Sequence, residues 1–277
     1  MRRASASLGI ALAAWCAAAA PAGRVPGLGE EGQAGWREYI EAPDHRAFAI
    51  APGGAWSWVS GARSAAEARE KVLSDCRART VHPCLSYAVD DKTVLDAAAW
   101  KGVWSPYATR AQAGRAIPGK NPGQRMFDLA FADPAGKATR LSDLRGKAVV
   151  LHFWGSWCGP CRRELPDLQK LVESLEGSRD VAFVLLQVRE PIAVARRWAQ
   201  AQKLRLPLSD SGTTGEDDAW LRLAGGRRVP DRELAKNFPT TFILDRHGLV
   251  VFAQVGPVPD WPAYREVLLD VAARSGR

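Results

Sequence analysis

The chain has 277 residues, 47% of them hydrophobic and 25% charged, the balance of a soluble globular protein with room for one large domain or two smaller ones. Its net charge of +8 comes from basic residues scattered along the chain; no Lys/Arg block interleaves with aromatics, which argues against nucleic-acid binding. The five cysteines stand as Cys16 alone, Cys76 with Cys84, and Cys158 with Cys161. Loss of a leading segment with Cys16 would leave two pairs, a pattern that suits an oxidising compartment.

Residues 1–22 have the layout of a secretory signal: Arg2 and Arg3, an apolar run from Leu8 to Ala20, then small residues. The run is shorter than the ~20 residues of a membrane span. A lipoprotein site is disfavoured because Trp15, a large residue, precedes Cys16. If the segment stays uncleaved it becomes a membrane anchor; either way the rest of the chain is expected outside the cytoplasm.

Residues 23–35, rich in Gly and Pro, read as a linker. A small α+β module is expected over 36–107. In it Phe48 and Ile50 alternate on one strand, Pro52-Gly53-Gly54 turns, and Trp56 and Trp58 alternate on the returning strand. Ser64-Ala65-Ala66-Glu67 has the form of a capping box opening a helix, with Ala65, Ala68, Val72 and Cys76 along one face. Leu85–Val89 is a further strand. Cys76 and Cys84 are too widely spaced for a dithiol turn, so they read as a structural disulfide. Closing so short a loop stabilises by about 2–3 kcal/mol, useful where little core can be buried. Residues 108–123, with Gly114, Pro118, Gly119, Pro122 and Gly123, read as a second linker.

Residues 124–277 form the second domain. Asp133-Pro134-Ala135-Gly136 and Asp245-Arg246-His247-Gly248 are flanked by strand patterns and predict two hairpins. Val149–Trp154 is an apolar, β-branched run that reads as a buried strand. Cys158-Gly159-Pro160-Cys161 then opens a helix with Leu165, Leu168, Leu171, Val172 and Leu175 on one stripe, and Pro166 is expected to bend it. Val181–Leu186 is a strand of the kind buried on both faces. Pro191 introduces another helix, and Asp260 is expected to cap the last one. The order ββ-βαβα-ββα predicts an α/β domain, a mixed sheet with helices on both faces.

Two sulfurs at a helix start sit where unpaired backbone N–H groups and the dipole favour an anion. A thiol of ordinary pKa ~8.5 falls to roughly 3.5–7.5 in such settings. Cys158 is therefore expected to be the nucleophile and Cys161, one helical turn on, the resolving thiol. Structural zinc sites also use Cys-x-x-Cys, but they need a second ligand pair, and the sequence has none nearby; no metal is expected.

Phe153-Trp154-x-x-Trp157-Cys158-x-x-Cys161-Arg162-x-Glu164-x-Pro166, with Phe238-Pro239-Thr240-Thr241-Phe242-Ile243-Leu244-Asp245-Arg246-His247-Gly248 downstream, resembles the TlpA/ResA branch of exported thioredoxin-like proteins. The resemblance covers the C-terminal 150 or so residues and none of the N-terminal module. It implies a thioredoxin-like fold and thiol–disulfide exchange with no cofactor beyond a redox-active Cys158–Cys161 disulfide. It also implies a cis peptide before Pro239, with Trp157, Gly159, Pro160, Phe238 and Pro239 around the substrate. His152 stands where thioredoxins have an acid and this branch often has asparagine, so it is either a proton acceptor for Cys161 or a core histidine. Glu164 is either a tuner of the dithiol or an exposed helix charge. The implied partners are client proteins with cysteines or disulfides and a membrane thiol donor, in the periplasm. Two other classes stay open: a copper-binding protein using both thiolates as soft ligands, and an adaptor that docks through its N-terminal module.

Overall fold

The computed structural model describes residues 23–104 and 107–275; the expected signal segment, 1–22, lies outside them. The N-terminal module consists of α1 (Glu30–Glu41), β1 (Ala47–Ile50), β2 (Trp56–Val59), α2 (Ala65–Arg77), β3 (Leu85–Val89) and β4 (Lys92–Thr93), with α3 (Ala97–Gly102) and α4 (Arg110–Gly114) following. Its antiparallel sheet has the order β2-β1-β3-β4. Strand alternation divides β1 between two small cores. Ala47 and Ala49 face Ala68, Val72 and Cys76 of α2, while Phe48 and Ile50 face Trp36 and Tyr39 of α1. Ser64 caps α2 by accepting from the Glu67 N–H, and Cys76 is bonded to Cys84.

Two segments expected as linkers contain ordered structure. α1 begins at Glu30, inside 23–35, where Val25 and Leu28 are also fully buried. Its Gly32 and Gly35 disguise it as a loop, since glycine opposes helix by about 1 kcal/mol. Their absence of side chains is what the packing needs: a Cβ on Gly35 would lie 2.3 Å from the Trp56 ring. Within 108–123, α4 buries Ala113, and Pro118 bridges Arg125.

The second domain runs β5 (Leu129–Ala132), β6 (Ala138–Arg140), β7 (Ala148–Trp154), α5 (Gly159–Ser174), β8 (Val181–Gln187), α6 (Ile192–Ala201), β9 (Leu208–Asp210), β10 (Trp220–Leu223), β11 (Arg228–Pro230), α7 (Asp231–Leu234), β12 (Thr240–Leu244), β13 (Val250–Val255) and α8 (Arg265–Arg274). The sheet order is β11-β10-β5-β9-β8-β7-β12-β13, with β6 paired to β5. β7, β8 and β9 run parallel and β12 and β13 antiparallel to their neighbours, the mixed sheet of a thioredoxin-like fold. Even-numbered residues of β7 (Val150, Trp154) join the core under α5, α6 and α8. Its odd-numbered residues (Val149, Leu151, Phe153) join a second core closed by the β5–β6 and β10–β11 hairpins and α7.

Three details differ from the sequence expectation. α5 continues through Pro166, which faces solvent, so the hydrogen bond the ring removes is lost on the wet side, where water replaces it. Asp260 caps no helix: it sits at φ 54° with no side-chain capping bond, and its Oδ2 accepts from the Gly27 N–H of the N-terminal module at 2.9 Å. The stretch Ser209–Lys236, which in sequence is polar and glycine-bearing with one short apolar run at Ala219–Leu223, contains the β10–β11 hairpin and α7.

The module is joined to the second domain by specific contacts. The Gly53 N–H donates to the Tyr264 hydroxyl at 2.8 Å, His82 stacks on Phe252 with ring centroids 4.9 Å apart, and Trp104 packs among Phe252 and Tyr264. Gly54, at φ +79°, meets Pro259 so closely that a Cβ would stand 2.1 Å from the ring.

Candidate redox site

β7 delivers the chain to the C-terminal edge of the sheet, the turn Gly155–Trp157 reverses it, and Cys158 is the N-cap of α5. Cys158 and Cys161 are joined by a disulfide. Cys161 is fully buried and Cys158 nearly so, at 4% exposure. The Cys161 N–H donates to Cys158 Sγ at 3.2 Å. The first sulfur thus already has a helix-terminal donor that favours its anionic form.

The turn is built to hold Trp157 at the surface, where it is 46% exposed. Its indole N–H donates to the Val188 carbonyl at 3.0 Å, and a Cβ on Gly155 would stand 2.2 Å from the indole, so only glycine lets the ring fold back. The Ser156 N–H and hydroxyl both donate to Glu190, tying the turn to the β8–α6 loop.

Antiparallel pairing of Thr240 with Phe153 and Thr241 with His152 brings the entry to β12 beside the exit of β7. The Phe238–Pro239 peptide is cis, and Phe238 meets Trp157 edge-to-face at 5.3 Å. Arg189 and Arg232 place their guanidinium carbons 5.4 Å and 5.6 Å from the Phe238 ring centre, within cation–π range. Arg189 is itself held by buried Asp231 through two bonds of 2.6 Å and 2.9 Å, and by Glu216. Gly159 and Pro160 form the half-buried first turn of α5. The structure therefore gathers Trp157, Cys158, Gly159, Pro160, Cys161, Phe238 and Pro239 at one edge of the sheet.

His152 and Glu164 lie behind this surface. His152 points to the α5 side of the sheet and is fully buried, and Glu164 is 6% exposed, which excludes an ordinary exposed helix charge. Glu164 Oε2 accepts from the Val258 N–H at 2.8 Å and the Trp261 indole N–H at 3.0 Å. His152 Nδ1 shares a hydrogen bond of 2.9 Å with the Thr241 hydroxyl. The two remaining polar atoms, His152 Nε2 and Glu164 Oε1, have no hydrogen-bond partner and face each other at 3.6 Å, too long for a hydrogen bond.

Burial sets the charge of both groups. It pushes the Glu164 carboxyl up to about 8, against the two N–H donors that favour its anion, and lowers His152 to about 3. At neutral pH the contact is thus a carboxylic acid against a neutral imidazole, and no ion pair. Sequence reading singled out His152 and Glu164 but missed Thr241, Val258 and Trp261 as their partners, and Ser156, Arg189, Glu190 and Asp231 as supports. Thr241 lies in the segment around Pro239 but nothing in that segment pairs it with His152, and the others carry no motif. Among the described residues no group of three or more His, Cys, Asp or Glu side chains is placed to hold a metal ion.

Comparison with known proteins identifies the family of the C-terminal half. The family model described as Redoxin matches residues 114–268. The thiol–disulfide oxidoreductase ResA of Geobacillus thermodenitrificans is 32% identical over 46% of this chain and 66% of its own length. ResA of Bacillus subtilis is 30% identical over 50% of this chain and 69% of its own. The match thus spans about two thirds of each relative. A thiol:disulfide interchange protein of the thioredoxin family from Chlorobium tepidum, known as a crystal structure, is 23% identical over 55% of this chain and 98% of its own, with a TM-score of 0.40. The chain belongs to the Redoxin family, and its C-terminal half is homologous to the ResA thiol–disulfide oxidoreductases.

Proposed function

We propose that the protein is an exported thiol–disulfide oxidoreductase that reduces disulfides of client proteins at Cys158 and Cys161. The observation that carries this reading is the Cys158–Cys161 disulfide across the N-terminus of α5, with Trp157, Phe238 and Pro239 beside it. In the dithiol form Cys158, as thiolate, attacks one sulfur of a client disulfide and the other client sulfur leaves as a thiol. Cys161 gives up its proton and attacks Sγ of Cys158. The client's second thiol is then released, and two electrons have passed to it. A partner dithiol, which we place in the membrane, restores Cys158 and Cys161.

Glu164 and His152 act on the second step. A carboxyl near pKa 8 exchanges protons close to neutral pH, and it sits one helical turn beyond Cys161. Its ionised fraction, the minor form at neutral pH and the larger one above pH 8, is best matched to take up the Cys161 proton, while neutral His152 holds the wall behind it. Glycine and proline between the cysteines favour the reducing direction, as in thioredoxins. Export is supported by the signal-like layout of residues 1–22 and by two disulfides in one chain. No helix among the described residues is long and apolar enough to cross a membrane.

Replacing Cys161 with alanine blocks the second step and accumulates mixed disulfides on Cys158. Non-reducing gels of cells expressing C161A are expected to show thiol-sensitive adducts absent from a C158A/C161A double variant. Equal absence from both would remove the exchange mechanism.

A further inference from the structure

A groove of about 940 Å³ lies between the N-terminal module and α5, and Pro160, which stands between the two cysteines, is among its lining residues. One wall is the start of α1 and the β1–β2 turn, with Leu28 and Trp56; the other is the first turns of α5, with Arg163 and Glu164, and the 257–262 loop. The groove is thus lined both by Pro160 of the redox motif and by Glu164, the buried carboxyl one turn beyond Cys161.

We propose that the N-terminal module is the second wall of the client site: an extended, cysteine-bearing segment of a client polypeptide lies in this groove while its cysteine is bonded to Cys158. The inference rests on the dithiol reading above and gives the module the role of holding clients.

The chemistry of the walls favours an extended polypeptide over a small cofactor. A cofactor pocket encloses its ligand and aims a few convergent polar groups at it. This groove is open and is lined by Pro160, Pro257, Pro259 and Pro262, by glycines and by Trp56, with the ion pairs Arg24–Glu30 and Lys170–Asp167 also on its walls. Prolines offer no N–H, so such walls read little sequence and suit varied clients with an apolar residue near the cysteine. Glu31 on one wall and Arg163 on the other have no ion-pair or hydrogen-bond partner among the described residues. They are free to meet client charges of either sign.

The wall is also rigid. Gly27 is tied to Asp260 and Gly53 to Tyr264, and Gly54 fits directly against Pro259. Trp56 is held flat on Phe48 at 5.9 Å, with Gly35 beneath it. A preformed wall loses little entropy when an extended chain settles against it.

The test uses the full chain with Cys161→Ala, trapped as a mixed disulfide with an insulin chain or with glutathione, followed by amide hydrogen exchange. The insulin adduct is expected to protect amides at 27–32 and 53–56 relative to the free protein, and the shorter glutathione adduct to leave them unchanged. In parallel, Trp56→Ala is expected to lower kcat/KM for insulin about tenfold more than for glutathione disulfide, the size of one well-buried aromatic contact. The exchange measurement stands even if that variant folds poorly. Adducts that form without protecting the module overturn the groove and leave the dithiol chemistry intact. Protection that follows protein concentration in the free protein assigns the groove to a second copy and also overturns it. If neither adduct forms, the dithiol reading fails and the groove assignment with it.

Discussion

Folding stability is expected to be flat between about pH 4.5 and 6.5 and to fall on both sides, because two neutral buried groups oppose each other. The folded pKa of Glu164 is raised by burial to about 8 from the ordinary 4.5. The folded state therefore holds a proton that the unfolded chain has lost, and stability falls as pH rises through that window. The folded pKa of His152 is lowered to about 3 from 6.5. There the unfolded chain holds the extra proton, so stability falls as pH drops from 6.5 towards 3. Between 4.5 and 6.5 the two slopes cancel.

Glu164→Gln removes the alkaline arm, leaving stability that rises to pH 6.5 and then stays level. His152→Asn removes the acid arm. Beyond the plateau each arm spans about 1.5 pKa units, at most on the order of 2 kcal/mol, and the full arm left in a single variant is at most on the order of 5 kcal/mol, from ~1.4 kcal/mol per unit; relaxation around the charged forms reduces both. Urea titrations at several pH values check the shape. A Glu164→Gln protein that still loses stability steadily from pH 6.5 to 8 would contradict a protonated buried carboxyl. Because the same carboxyl is proposed to take the Cys161 proton, the variant should also slow release of a trapped client near neutral pH.

Removing Arg189 is expected to cost about 3–5 kcal/mol, the usual consequence of stranding one charge of a buried pair. Asp231 is 1% exposed and has Arg189 as its side-chain partner, whereas the Arg189–Glu216 bond is solvent-exposed on the glutamate side and adds little. Arg189→Ala with Asp231→Asn should recover much of the loss, since no buried charge is then left without a partner. Equal destabilisation of the single and double variants, read from denaturant midpoints at constant slope, would show that the pair acts only through packing. The single variant also strips one cation from the face of Phe238, so its KM for protein clients should rise while the reaction with small disulfides changes less.

How much of this was legible beforehand depends on whether the signal was local. The Ala148–Trp154 strand, the Cys-Gly-Pro-Cys helix start and the two Asp-to-Gly hairpins announce themselves by alternation, composition and turn chemistry within a few residues. α1 did not, because its two glycines serve the packing of Trp56 and mask the helical pattern. β10 and β11 are each so short that only pairing makes them strands, β11 with β10 and β10 with β5. Asp260 looked like a helix cap because sequence shows spacing and not direction; its side chain turns to the N-terminal module instead. The environment of Glu164 was equally hidden. Its partners Val258 and Trp261 lie far along the chain, and only folding makes an acid on a helix into a buried, protonated one.

The central claim is that Cys158 and Cys161 form a reducing dithiol, and its most direct test is the reduction potential of that pair in a redox buffer series at neutral pH. The reading as a client reductase predicts a value at the reducing end of the range, near the roughly −270 mV of thioredoxin. A value near the about −120 mV of a strong disulfide-forming oxidant would contradict it and reverse the direction of electron flow.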